Sequence, residues 1–137
     1  MINHVTRGIK ISVKVLFDGS YFKNYILNYS FNYTISIINQ SKNSVQLKSR
    51  HWRIFDSLNS DIIIDGEGVV GEKPIIKPGD SHIYSSGCLI TSTVGAMRGF
   101  YNMIDINTGK KFRAYIPTFK LNPLIAPTVD VIKQPDE

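Results

Sequence analysis

The sequence predicts an all-β chain folded as an antiparallel β-sandwich. Three observations carry that expectation. Apolar and polar residues alternate with period two through most of the chain. Turn residues recur between the alternating runs. No extended window repeats apolar positions at the i, i+3, i+4, i+7 spacing of a capped helix.

The elements follow in order. In "GIKISVKVLF" the apolar set is Ile9, Ile11, Val13, Val15 and Phe17, with Lys10, Ser12 and Lys14 between them. "YSFNYTISIIN" repeats the pattern through Phe31, Tyr33, Ile35 and Ile37. Between these runs, "DGSYFKNYILN" from Asp18 to Asn28 reads as a loop, the one place where a short helical turn is tempting. "VQLKSRHWRIFD" starts with Val45 and Leu47 inward, then changes phase to Trp52 and Ile54, as a β-bulge requires. Trp52 then belongs at the centre of the core. "DIIID" reads as a buried strand, and "SHIYSSGCLIT" and "AMRGFYNMIDI" as further strands, with Met97, Tyr101 and Met103 on one face. Pro78-Gly79 in "KPGD" suits a type II turn, and "NTGK" closes a hairpin onto "KFRAYIPTF". The expected organisation is a polar lead over residues 1–8, one sandwich domain over 9–123, and a proline-containing tail over 124–137 that runs along the surface or frays.

Composition bounds the class. A chain of 137 residues with 42% hydrophobic and 20% charged residues is enough for one cored domain. No apolar run is long enough to span a membrane, and the first residues lack the apolar core of a signal peptide, so a cytoplasmic protein is expected. Cys88 is the single cysteine, which excludes an intrachain disulfide and reads as a small core residue. The net charge of +5 is uneven. Residues 1–60 hold eight Lys/Arg against two Asp, and residues 61–137 hold eight against nine Asp/Glu. An anionic partner would suit that asymmetry. The cations are scattered rather than clustered, however, so a solvated basic face is the reading adopted.

Gly66-x-Gly68-x-x-Gly71 has the spacing of a dinucleotide fingerprint. The chemistry behind that fingerprint needs a helix after the glycines, with its N-terminus facing the pyrophosphate. Pro74 and Pro78 leave no room for one, and no Asp or Glu lies between Asp80 and Asp105 to bind a ribose. Two readings stay open. The loop amides of Gly66, Gly68 and Gly71, with Lys73 adding charge, could form an anion-binding concavity. Alternatively, the glycines permit positive φ, a bulge or a close strand approach.

Other constellations are weak. His51 beside Arg50 and Asp56 lacks a presented nucleophile, so no catalytic residue is expected. His4, His51 and His82 are far apart and the acids do not cluster, so no metal site or cofactor is expected. Lys48, Arg50 and Arg53 alternate with aromatic residues, but Trp52 points inward, and nucleic acid is not an expected partner.

The block Ser49-Arg50-His51-Trp52, the glycines with Val69 and Val70, Pro74, Pro78-Gly79, Tyr84, Ser86-Gly87 and Met97-x-Gly99-x-Tyr101 together resemble the bacterial ApaG family, also called CorD. The resemblance runs from the first strand to about Pro123, and its one departure is Lys73, where many members carry glutamine. It implies a fibronectin type III/immunoglobulin-like sandwich. It also implies no established enzymatic activity, and a link to cobalt resistance and magnesium efflux. Related eukaryotic domains, in certain F-box proteins and in a polymerase-delta-interacting protein, are taken to mediate protein–protein contact. The family's glycine block has been regarded as a pyrophosphate or nucleotide site. The expected function is therefore a non-enzymatic binding module with an unidentified protein partner. Pyrophosphate or nucleotide binding is the alternative, and a strand edge is the expected route to any homodimer.

Overall fold

A computed structural model of the chain describes residues 2–124 and 126. Nine strands are described: β1 (Ile2–Thr6), β2 (Ile9–Lys23), β3 (Ile26–Asn39), β4 (Val45–Asp56), β5 (Ile62–Glu67), β6 (Ile75–Ile76), β7 (Ser81–Ile90), β8 (Gly95–Asp105) and β9 (Lys111–Leu121). They form two antiparallel sheets, ordered β1-β2-β3-β7 and β5-β4-β8-β9, with β6 also paired to β4. The sheets pack as a sandwich of the fibronectin/immunoglobulin type. No helix among the described residues is long and apolar enough to cross a membrane.

Alternation places the core as expected. Ile9, Ile11 and Val13 of β2 and Phe31, Tyr33, Ile35 and Ile37 of β3 are buried against Val45, Leu47, Trp52 and Ile54 of β4. Met97, Tyr101 and Met103 share the inner face of β8. Trp52 sits edge-on to Tyr33 at 5.4 Å and to Phe119 at 6.0 Å between ring centroids. The phase change in β4 is real: its register against β8 slips between Leu47 and Ser49, so Lys48 is the bulged residue. The Pro78-Gly79 turn is also as read, with Gly79 at φ +84° and the Asp80 amide donating to the Lys77 carbonyl at 2.9 Å.

Three expectations change. Asp18–Asn28 holds no helical turn. Instead β2 and β3 continue as one long hairpin closed by Asn24 and Tyr25 at φ +54° and +65°. A register slip between Phe17 and Ser20, with Gly19 at φ +100°, breaks the alternation there. The "DIIID" run forms β5 but is not buried, because β5 is an edge strand whose Ile62, Ile63 and Ile64 all remain exposed. The lead is itself structured: Ile2–Thr6 pairs with β2 through a turn at Arg7-Gly8, both with positive φ. The tail beyond Leu124, apart from Ala126, lies outside the described residues.

Candidate functional site

The two sheets close on one side and part on the other. Strand β9 packs against β1 and β2, and the Tyr115 amide donates to Thr6 Oγ1 at 3.3 Å. At the opposite side the edges are β5 and β7, and they do not pair. Between them lies a cleft of about 560 Å³. Its floor is Tyr33, Trp52, Ile54 and Met97, and its walls include Ile62 and Ile64 of β5 and Tyr84 and Leu89 of β7. The walls follow from the odd apolar content of β5, which places isoleucines on both faces of an edge strand.

Arg50 and the glycine block form one end of this cleft. Strands β5 and β6 occupy the same edge of β4, and the chain between them makes an excursion opposite the Lys48 bulge. The excursion is pinned at both feet: the Gly68 amide donates to the Lys48 carbonyl at 2.9 Å, and the Leu47 amide to the Pro74 carbonyl at 3.1 Å. At its tip, Val69 and Glu72 exchange both backbone hydrogen bonds, at 2.8 and 3.0 Å. Val70 and Gly71 between them lie at φ +48° and +76°, a tight turn of the primed type. Val69 is thereby driven fully into the core, which is worth about 1.5–3 kcal/mol for a side chain of its kind.

The three glycines therefore serve three separate needs. A Cβ on Gly66 would come within 2.6 Å of the Arg50 guanidinium carbon. A Cβ on Gly68 would strike the Glu72 carbonyl oxygen. Gly71 faces open space and is needed for its φ alone. Arg50 uses the room at Gly66 to donate from Nη1 to the carbonyls of Glu67 and Gly68, at 3.0 and 2.9 Å. The amides of Gly68, Val69 and Glu72 are all committed to carbonyl acceptors. The Lys73 ammonium pairs with Glu67 at 2.8 Å.

Behind Arg50, Tyr84 and Tyr101 hydrogen-bond through their hydroxyls. Burial pushes the pKa of both upward, and that of Tyr33 as well, while the Arg50 charge opposes the rise at all three. All three stay protonated phenols at neutral pH. Cys88, half-buried in the same wall, has its thiol pushed up to about 12 by burial, which keeps it unreactive. The cleft thus combines apolar walls, neutral hydroxyls and one fixed guanidinium.

His51 lies on the other face of β4, where Nδ1 meets Asp65 at 2.6 Å. Its ring stacks on Phe100 at 4.7 Å and 17°. Asp56 is far from this pair and buried, accepting from the Thr91 amide and hydroxyl at 2.7 and 2.9 Å. Among the described residues, no group of three His, Cys, Asp or Glu side chains is placed to hold a metal ion. The cleft itself was missed by sequence reasoning, and its one available signal was the apolar run Ile62-Ile63-Ile64 beside the glycines.

The order of these features along the chain has counterparts. A family model described as the ApaG domain matches residues 20–105. The chain belongs to the ApaG family. A protein named ApaG from Methylorubrum extorquens is 42% identical over 125 residues, covering 85% of this chain and 89% of that protein. One from Brucella anthropi is 43% identical over 122 residues, covering 89% and 93%. Among solved structures, a structural-genomics target determined by X-ray diffraction superposes with a TM-score of 0.78 at 31% identity, covering 95% of this chain and 94% of that one. A Bordetella pertussis protein assigned as ApaA gives 0.76 at 33% identity, covering 83% and 92%. The C-terminal domain of Wzt shares the fold alone, with a TM-score of 0.52 at 9% identity.

Proposed function

We propose that the chain is a non-enzymatic, cytoplasmic binding module that holds an extended segment of a protein partner along the open side of the sandwich, between β5 and β7. The observation that carries this reading is the apolar cleft between two edge strands. Unpaired strand edges offer main-chain hydrogen bonds, and an adjacent cleft accepts alternate side chains, which is the chemistry of strand addition. Ile62, Ile64 and Leu89 supply exposed apolar surface at the mouth. Arg50 and the tyrosines keep the floor rigid behind them. The family's implied link to divalent-cation handling would then run through the partner rather than through a metal held by this chain.

Photo-crosslinking tests the proposal. A crosslinker placed at position 64 or 89 should trap a partner, whereas one at Lys14, exposed on β2 away from the cleft, should not. Ile64→Lys should abolish the adduct at 89 while leaving the thermal midpoint nearly unchanged, because Ile64 is already 41% exposed. Equal trapping from Lys14 would sink the cleft reading. Self-trapping would mark a homodimer through the strand edge instead. The alternative ligand, pyrophosphate or a nucleotide at Gly66–Gly71, is checked by titrating isotope-labelled protein and following those amides. Saturable shifts there below about millimolar concentration would favour it, although three of the loop amides already have carbonyl partners.

A further inference from the structure

The outer face of the β4, β8 and β9 strands carries charge that the cleft does not use. Lys48 and Arg53 on β4, Arg98 on β8, and Lys111, Arg113 and Lys120 on β9 gather there, with His51 among them. The carboxylates on these three strands are Asp56, which is buried, and Asp105, which sits at a strand end and accepts from Asn43. Among the described residues, the other acids of this sheet's outer surface lie at its β5 border. There Asp65 takes His51, Glu67 takes Lys73, and Asp61 reaches Arg53 only at 3.9 Å.

Two details separate this face from an ordinary solvated one. Arg53 and Arg98 are direct register partners, and like charges placed opposite one another cost a sheet stability. Phe100 is clasped between the His51 ring and the Arg113 guanidinium, which lies 4.2 Å from the phenyl centroid. The clasp holds the Arg113 side chain against the sheet. Tyr115, edge-on to Phe100 at 5.8 Å, keeps 45% of its surface exposed, and Phe55 keeps 42%. Shallow depressions of about 260, 460 and 460 Å³ follow one another along the face, the first two sharing Arg53, Arg98 and Thr118.

We propose that this face binds single-stranded nucleic acid without sequence preference. The arginines and lysines take successive phosphates, while Tyr115 and Phe55 offer stacking surfaces to bases. A cationic track interleaved with exposed rings is what a single strand needs. An acidic peptide would use the cations and leave the rings idle, which is why nucleic acid is the favoured occupant. The sequence pattern around Trp52 gave no reason to expect it, since Trp52 is buried. The rings that matter come from β8, β9 and the end of β4. The cleft between β5 and β7 is not involved, so the two surfaces stand or fall separately.

Fluorescence anisotropy with labelled oligouridine and oligothymidine 12-mers, across a salt series, tests it. Saturable binding that weakens with salt is expected. The Arg53→Ala/Arg98→Ala pair should weaken binding at least about 10-fold and flatten the log K against log salt slope by about 1.4, close to 0.7 for each lost phosphate contact. That variant relieves the opposed charges, so it should fold at least as stably as the parent. Tyr115→Ala should weaken binding about 5-fold or more with an unchanged slope. Lys10→Ala/Lys14→Ala, on the other sheet, should bind as the parent does. No saturable binding at the lowest salt overturns the proposal. So does an equal loss in the Lys10/Lys14 variant. Displacement of the oligonucleotide by polyglutamate at matched charge also overturns it, in favour of an acidic protein partner.

Discussion

Gly68 holds φ +61° and has the Glu72 carbonyl where a side chain would begin, whereas Gly71 holds φ +76° facing open space. The two should therefore respond differently to the same substitution. Gly68→Ala is expected to cost about 3 kcal/mol or more, combining positive-φ strain with a backbone collision. Gly71→Ala should cost about 1 kcal/mol, and Gly71→Asn less, because only φ is at issue. Urea denaturation gives both values, and equal costs would contradict the geometry. Asp56 makes a second prediction. Burial works against its charge, but hydrogen bonds from Thr91, Ser92 and Leu58 win, and its pKa falls below the ordinary 3.8. A folded pKa below the unfolded one means its stabilisation is complete above about 3.8 and is lost as pH falls through the lowered value. Asp56→Asn should thus destabilise the protein by about 1–3 kcal/mol near neutral pH, and the deficit should narrow in urea titrations carried out in acid. The spacing of the glycines was legible in the sequence. Their separate reasons were not, because each depends on a partner brought by the fold: Arg50 for Gly66, Glu72 for Gly68.

The β2–β3 hairpin shows what hides an element from sequence reading. Both strands alternate cleanly up to Phe17 and from Tyr29, and the stretch between looked irregular because a register slip at Phe17/Ser20 shifts the period. The same device in β4 was legible, since apolar pairs on each side of Lys48 displayed the phase change. Beyond Phe17, Tyr21 and Phe22 are exposed, so no buried set marks the inner face. Strand β5 misled for the opposite reason: its three isoleucines are apolar on both faces, yet only one side has a neighbour. The hairpin turn is testable. Tyr25 is fully exposed and holds φ +65°, a conformation that costs a non-glycine residue about 1–2 kcal/mol. Since Asn-Gly is the preferred pair for such a turn, Tyr25→Gly should raise stability by about 1 kcal/mol. A loss of stability in thermal unfolding would mean that the Tyr25 side chain matters in a way its exposure does not suggest.

At the scale of the molecule, the asymmetry between the two sides of the sandwich governs where it opens. Strands β3 and β8 each have hydrogen-bonded neighbours on both sides and an inner face of fully buried side chains. Strand β9 is held from the other sheet by β1 and β2. Strand β5 has β4 on one side and solvent on the other, and its side chains contribute little to the core. Local opening should therefore be least costly along β5, and global unfolding should be required to expose β3 and β8. Amide hydrogen exchange is expected to show β5 protected less than β4 by about two orders of magnitude, with β3 and β8 slowest. Exchange of β5 as slow as that of β4 would mean the β5–β7 side is closed in solution, and the cleft would lose its claim as an entry for a partner. With the outcome as expected, the same measurement becomes the assay for that partner. A segment added to either open edge should slow β5 or β7 selectively, whereas an oligonucleotide on the opposite face of β4, β8 and β9 should leave both edges exchanging as before.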